Sequence, residues 1–284
     1  VTLRLADISA QIEGIQQLGA VVNAMRGIAA ARARQARGQL TGVDSYEAII
    51  ADGLGKALAL IPSHHRTAPA QVHPTLIVFA AEQGFAGAFS EKVFDFIGPD
   101  LARSTLFLVG TRGGTVLAER GLEPDWSGAL PAHSIGIPKL ADQIVEALYA
   151  RIAKGKIVAV EVIFAASEPG HPADMRRRVL LPLDVTKLSN LRHPAPPLLN
   201  LAPAQLLAEL TADYLVAELC HAALHAFAAE NEARMEAMAA ARDQIIRELA
   251  TLRAKERQVR QEDITAEVIE LAAGAAANGS RQTL

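Results

Sequence analysis

"ENEARMEAMAAARDQIIRELATLRAKERQVRQEDITAEVIELAAG", Glu230 to Gly274, ends a longer stretch, Ala204 to Ala273, that holds neither glycine nor proline. As continuous α-helix those seventy residues would measure roughly 105 Å, several times the span of a small domain. No compact globule buries such a rod. Met238, Ile245, Leu252 and Val259 recur at intervals of seven and form an apolar seam. The companion series Met235, Arg242, Leu249, Glu256 and Asp263 turns polar toward the C-terminus. The helix can therefore pair with one partner over part of its length and leave another face for something else.

The first sixty residues supply the partner. Ile8, Ile15, Val22 and Ala29 repeat at seven, as do Leu18 and Met25, and the spacing predicts a helix from Leu3 to about Leu60. Gly14, Gly19 and Gly27 interrupt it, each costing up to about 1 kcal/mol relative to alanine unless it lets another chain segment come close. "IPSHHRTAPAQVHP", residues 61–74, carries three prolines and reads as a linker.

Residues 75–197 read as an α/β domain. "TLIVFA" (75–80), "TLFLVG" (105–110) and "IVAVEVIFAA" (157–166) are strand candidates, with helices expected at 88–101, 115–120 and 139–153. "RRVLLPLDV" (177–185) is placed to return antiparallel to the strand before it, and "RHPAPP" (192–197) closes the domain. The fold class expected is α/β: a long antiparallel coiled coil of N-terminal (1–60) and C-terminal (198–284) helices, with a small Rossmann-like domain inserted between them. That describes a rod with a globular knob.

Composition narrows the functions. Half the residues are hydrophobic and only 4% aromatic, which favours helix. The formal net charge of −3 lacks the basic excess of a nucleic-acid binder. The single cysteine, Cys220, excludes an intrachain disulfide framework and fits a reducing compartment. Asp7 and the absence of an apolar core near the N-terminus argue against a signal peptide, and no run of eighteen apolar residues suggests a membrane span.

Three stretches carry a family resemblance. "LADISAQIEGIQQLGAVVNAMRGIAAARARQAR" (5–37) resembles the N-terminal helix of the gamma subunit of F-type ATP synthases. "AAEQGFAGAFSEKV" (80–93) is similar to that family's strand-to-helix turn, with Gly84 and Gly87 matching its glycines. "ENEARMEAMAAARDQI" followed by "ITAEVIELAAGAAA" resembles its C-terminal signature. The resemblance implies a non-catalytic central-stalk rotor, without a cofactor, inside a ring of alpha and beta subunits. It also implies contacts with the epsilon subunit and the membrane c-ring, and a place on the cytoplasmic side of a bacterial plasma membrane. Partner contacts are then expected at Met25, Arg26, Arg32, Arg234, Met238, Ala266 and Ile269, and structural turns at Gly84 and Gly87.

The match is not uniform. "LGAVVNAM" (18–25) lacks the lysines common in the family, and Ala266 and Ile269 stand where it commonly has glutamine and threonine. These departures imply a divergent branch, an alternative ion-pumping ATPase beside a standard enzyme.

Other chemistry is weaker. The basic run Arg26, Arg32, Arg34 and Arg37, with no acid between Glu13 and Asp44, suits an acidic loop on a partner but equally a solvated helix face. Arg234 could pair simply with Glu230 or Glu236. "EQGFAG" (82–87) follows a strand and precedes a helix, so its amides could cradle a phosphate, yet it lacks the P-loop pattern, as does "GLGKA" (53–57). His221 and His225 lie one helical turn apart, half of a metal site with no evident third ligand. The competing class is a coiled-coil scaffold whose α/β domain binds a small ligand or nucleic acid.

Overall fold

The computed structural model describes residues 5–60, 74–155, 157–168, 173–184 and 199–279. Nearly all of the expected linker, 61–73, and the "RHPAPP" stretch lie outside the described residues. The chain forms two compact units, one of Val1–Gly27 with Glu236–Leu284 and one of Ile28–Met235. Helix α1 (Leu5–Leu58) begins in the first and ends in the second. Helix α5 (Pro203–Gly279) runs through 77 residues in the opposite order.

In the first unit, the inward positions of α1 are Leu5, Ile8, Ile12, Ile15, Gly19 and Val22, alternating by threes and fours as a heptad requires. On α5 the matching stripe is Met238, Ala241, Ile245, Leu249, Leu252, Glu256 and Val259. The seam expected on α5 is present. The companion expected at Leu18 is not, because Leu18 is 53% exposed and Ile12 and Gly19 take the inner position. A Cβ on Gly19 would lie 3.4 Å from Ile245 Cγ2, so this glycine lets the facing side chain come close. From Arg260 to Ala273 every residue of α5 is exposed.

The second unit is built on a mixed five-stranded sheet, β3-β2-β1-β4-β5. Its strands are β1 (Thr75–Phe79), β2 (Leu106–Val109), β3 (Trp126–Gly128), β4 (Val160–Ala166) and β5 (Asp174–Leu181). The first four are parallel neighbours, and β5 returns antiparallel to β4. Strand β3 was not expected, since three residues carry too little periodicity to register. Helix α2 (Phe89–Ile97) is shorter than expected and passes into a 3₁₀ turn, Gly98–Ala102. Helix α3 (Thr111–Glu119) starts four residues early, while α4 (Ile137–Ile152) is close to its expected place. The early start of α3 rests on Gly113, where a Cβ would come within 2.4 Å of Ala80 Cβ. Only glycine lets that helix lie so near β1.

Alternation along the strands produces two cores. Ile77, Phe79, Phe107, Val162 and Phe164 pack with α4 and α5, whereas Leu76, Val78, Leu108, Ile163 and Ala165 pack with α2 and α3. Helix α5 is buried on all sides from Ala217 to Asn231, a segment of mostly small and apolar residues in which Glu218, His221, His225, Glu230 and Asn231 are the buried polar exceptions. Against it α1 offers Ala29, Ala33 and Ala36, all buried. The pairs Arg37–Glu232, Asp44–His221 and Gly53–Leu210 run in opposite directions along the two helices, so they are antiparallel here.

The glycines of α1 provide a stability test. A Cβ at Gly14 meets nothing within 4 Å. Gly14→Ala should therefore raise stability by about 0.5–1 kcal/mol in urea denaturation. Gly19→Ala, whose Cβ must be accommodated beside Ile245, should gain less. A loss at Gly14 would contradict its placement on an open face.

Candidate functional site

In a doubly wound sheet, ligands bind beyond the carboxyl ends of the strands where strand order reverses. Here that point lies between β1 and β4. Helix α5 crosses it. Glu230 accepts hydrogen bonds from the backbone N–H groups of Glu82 (3.0 Å) and Gln83 (3.1 Å), immediately beyond β1. Ser167, just beyond β4, donates its N–H to His225 Nδ1 (3.3 Å) and its hydroxyl to Glu232 Oε1 (2.8 Å). The amides considered for a phosphate thus hold a carboxylate of the chain itself. The cavity left among Glu82, Gln83, Phe227, Glu230 and Arg234 is about 10 Å³, room for one water at most.

Arg234 completes the arrangement from the next turn of α5. Its Nη2 lies 2.5 Å from Glu230 Oε1 and 3.3 Å from the Gln83 carbonyl, its Nε donates to the Gly84 carbonyl (3.1 Å), and its Nη1 donates to Asn231 Oδ1 (3.0 Å). The Arg234 and Glu230 side chains are only 6% and 4% exposed. Burying two charges is costly, and the cost is offset because nearly every lone pair and proton is engaged. The loop is fastened on its other side by Glu82, which accepts from Thr111 N–H (3.0 Å), Thr111 Oγ1 (2.8 Å) and Leu130 N–H (2.8 Å). At its tip Phe85 has φ 62°, a left-handed conformation unfavourable for a bulky side chain, and its ring is 67% exposed. Gly87 has φ 58°. Gly84 has ordinary backbone geometry and serves the turn through its carbonyl.

The remaining expected residues scatter. In the first unit Met25 and Arg26 are half-buried and Met238 is buried, while Ala266 and Ile269 are exposed. In the second, Arg32 reaches Gln83 Oε1 (3.4 Å), and Arg37 pairs with Glu232. Arg34 is exposed. The basic run therefore does not act as one patch within this unit.

His221 and His225 sit 4.5 Å apart by ring centroids, beside Phe164. Burial, with the neighbouring imidazole second, pushes His225 down to about 4; burial and then Arg178 also lower His221. Both rings are neutral at neutral pH. Among the described residues no group of three His, Cys, Asp or Glu side chains is placed to hold a metal. Burial raises the Cys220 thiol to about 11, so it is not a nucleophile.

A family model described as ATP synthase matches residues 4–277, nearly the whole chain, and similar full-length proteins are gamma chains. The chain belongs to the ATP synthase gamma-chain family. The gamma chain of Solibacter usitatus is 24% identical over 96% of this chain and 98% of its own length. That of Anaeromyxobacter sp. strain K is 26% identical over the same shares. In fold, the chain is similar to one in the mitochondrial ATP synthase of Euglena gracilis, with a TM-score of 0.66 at 12% identity, over 99% of this chain and 96% of that one. It is also similar to a chain of the Tetrahymena thermophila central stalk, with a TM-score of 0.58 at 16% identity, over 78% and 99%. As a gamma chain it is a non-catalytic subunit of the central stalk. The filled crevice is consistent with that role. No helix among the described residues is long and apolar enough to cross a membrane.

Of these partners the sequence offered only Glu230, as a simple pair for Arg234; Glu82 and Asn231 were not singled out. The signal for Glu230 is the acid-to-arginine spacing of four in "ENEAR", which reads the same on an exposed helix. Arg234→Ala strands Glu230 as a buried, partly unpaired charge and should cost about 3 kcal/mol in chemical denaturation. Arg34→Ala, at an exposed position, should stay within about 0.5 kcal/mol. Equal effects would contradict the structural role of Arg234.

Proposed function

We propose that this gamma chain is the rotor within a ring of three alpha and three beta subunits. In this reading it couples ion flow through a membrane c-ring to ATP synthesis or hydrolysis, at the cytoplasmic face of a bacterial plasma membrane. The observation that carries the reading is the far end of α5. Ile264, Val268, Ile269 and Leu271 are 56–67% exposed on a helix that no other described segment covers. Such a run of apolar residues calls for a surrounding surface. Ala266 and Ile269 supply apolar rather than hydrogen-bonding contact to that sleeve. A smooth bearing of this kind resists rotation less than polar catches would.

Coupling requires contacts whose energy differs between catalytic conformations. Met25, Arg26 and Met238 are the contacts assigned to the first unit. Arg26 supplies a cation for an acidic loop of a catalytic subunit. In the second unit Arg32 and Arg234 act through the loop at Gln83 and Gly84, and the exposed Phe85 ring becomes the surface a neighbour meets. The sheet domain is assigned the epsilon subunit and the c-ring. Nothing in this scheme asks the chain to bind nucleotide.

Isolation of the tagged chain from its native cell, with mass spectrometry of what accompanies it, tests the assembly. Two kinds of nucleotide-binding subunit and ATPase activity are expected; recovery of the chain alone would overturn the reading. Within the assembled enzyme, Ile245→Asp places a charge in the helix seam. It should leave ATP hydrolysis poorly coupled to ion pumping, and undiminished pumping by that variant would refute the shaft mechanism.

A further inference from the structure

Away from the crevice, the second unit contains an acid pair that the rotor function does not use. One helical turn beyond the Asp44–His221 contact, Glu47 on α1 comes opposite Glu218 on α5, and both line one cavity. Glu218 is buried, and its other contacts are taken: Tyr214 donates its hydroxyl to Oε1 (2.9 Å) and Arg178 of β5 donates Nη1 to Oε2 (3.1 Å). One guanidinium and one phenol therefore serve a site with two carboxyl groups. We propose that a single proton shared between Glu47 and Glu218 fastens α1 to α5 and β5 at this level, and that its loss loosens α1 there.

Geometry supplies both the fastening and the route for the proton. Two carboxylates side by side repel each other, whereas a carboxyl and a carboxylate form a strong hydrogen bond. A cavity of about 790 Å³, lined by both glutamates, Tyr214, Arg177, Arg178 and Asp184, borders the pair and gives access for proton exchange. The other charged or titratable groups facing it are Asp44 on α1 and His221 on α5. Asp44 adds negative charge near Glu47. His221 is 3.5 Å from Asp44 and is kept neutral by burial and Arg178. Arg177 is occupied by Asp100 (2.8 Å) and Glu161 (2.5 Å) and does not relieve the pair.

The consequence is a pH dependence near neutrality. Burial, then the Glu218 charge, pushes Glu47 up to about 7. Its proton is held more tightly in the folded state, so its contribution is complete below the ordinary carboxylate range and is lost as pH rises through about 7. His221 and His225 act oppositely. Both are held below the ordinary imidazole range, so they cost stability as pH falls below about 6.5, His225 down to about 4. Overall stability mixes these terms, and comparison of a single variant with the parent chain isolates Glu47.

Hydrogen exchange of the full chain, read at the α1 amides around Glu47 and corrected for intrinsic rate, provides the test. Between pH 6 and 8.5 the parent should lose about tenfold in protection there, the factor expected when a carboxyl with a pKa near 7 ionises. Glu47→Gln, which keeps a donor to Glu218, should abolish that loss. Infrared spectroscopy gives a check independent of the variant: a protonated-carboxyl band should fade across the same interval in the parent. No loss in the parent, an unchanged loss in Glu47→Gln, or a missing carboxyl band at pH 6 would each overturn the proposal.

Discussion

One carboxylate, Glu230, accepts the two amide groups that follow the central strand of the sheet, and much of the second unit is arranged around it. Those amides lie where open α/β sheets ordinarily meet a ligand. Left unpaired and buried, each would cost of the order of 1–3 kcal/mol. Glu230 satisfies them, Arg234 neutralises Glu230, and the same guanidinium takes up two carbonyls of the loop. Glu82 then ties that loop to the start of α3 and to Leu130. The result is a loop held on both sides with one aromatic side chain left outside. The crevice of an open α/β sheet is thereby turned to holding a long helix.

The helix pair of the first unit depends on a different constraint. Its seam is narrow, with residues that are mostly half-buried, and the polar Glu256 sits within it. Stability from such a seam accrues gradually along the length. The second unit instead encloses α5 on every side between Ala217 and Asn231, using the sheet face and the alanines of α1. One helix therefore has three segments: enclosed and mostly apolar with a few buried polar side chains, then amphipathic with a heptad, then exposed. Each matches what surrounds it.

Much of this was legible before the structure. The spacing of Met238, Ile245, Leu252 and Val259 and the absence of helix breakers fixed the α5 seam, because period and length are strong signals in a long element. Gly19 hid the second α1 seam. A position that packs by having no side chain leaves no hydrophobic mark, and Leu18 beside it drew the register one step aside. Gly113 and Gly114 similarly concealed the first turn of α3, and at Gly113 closeness to Ala80 is the reason for glycine. Strand β3 was too short to show any period. The crevice chemistry was the least legible part: Glu230 and Arg234 have the spacing of an ordinary surface pair, and burial alone separates the two cases.

The sheet domain is a frame whose ligand crevice the chain itself occupies. Calorimetric titration of magnesium nucleotide into the purified full chain tests this most directly. No saturable binding is expected at cellular nucleotide concentrations. Stoichiometric binding, with Glu82 and Gln83 amide signals shifting as nucleotide is added, would show that Glu230 yields the site to a ligand and that the crevice is not closed by the chain.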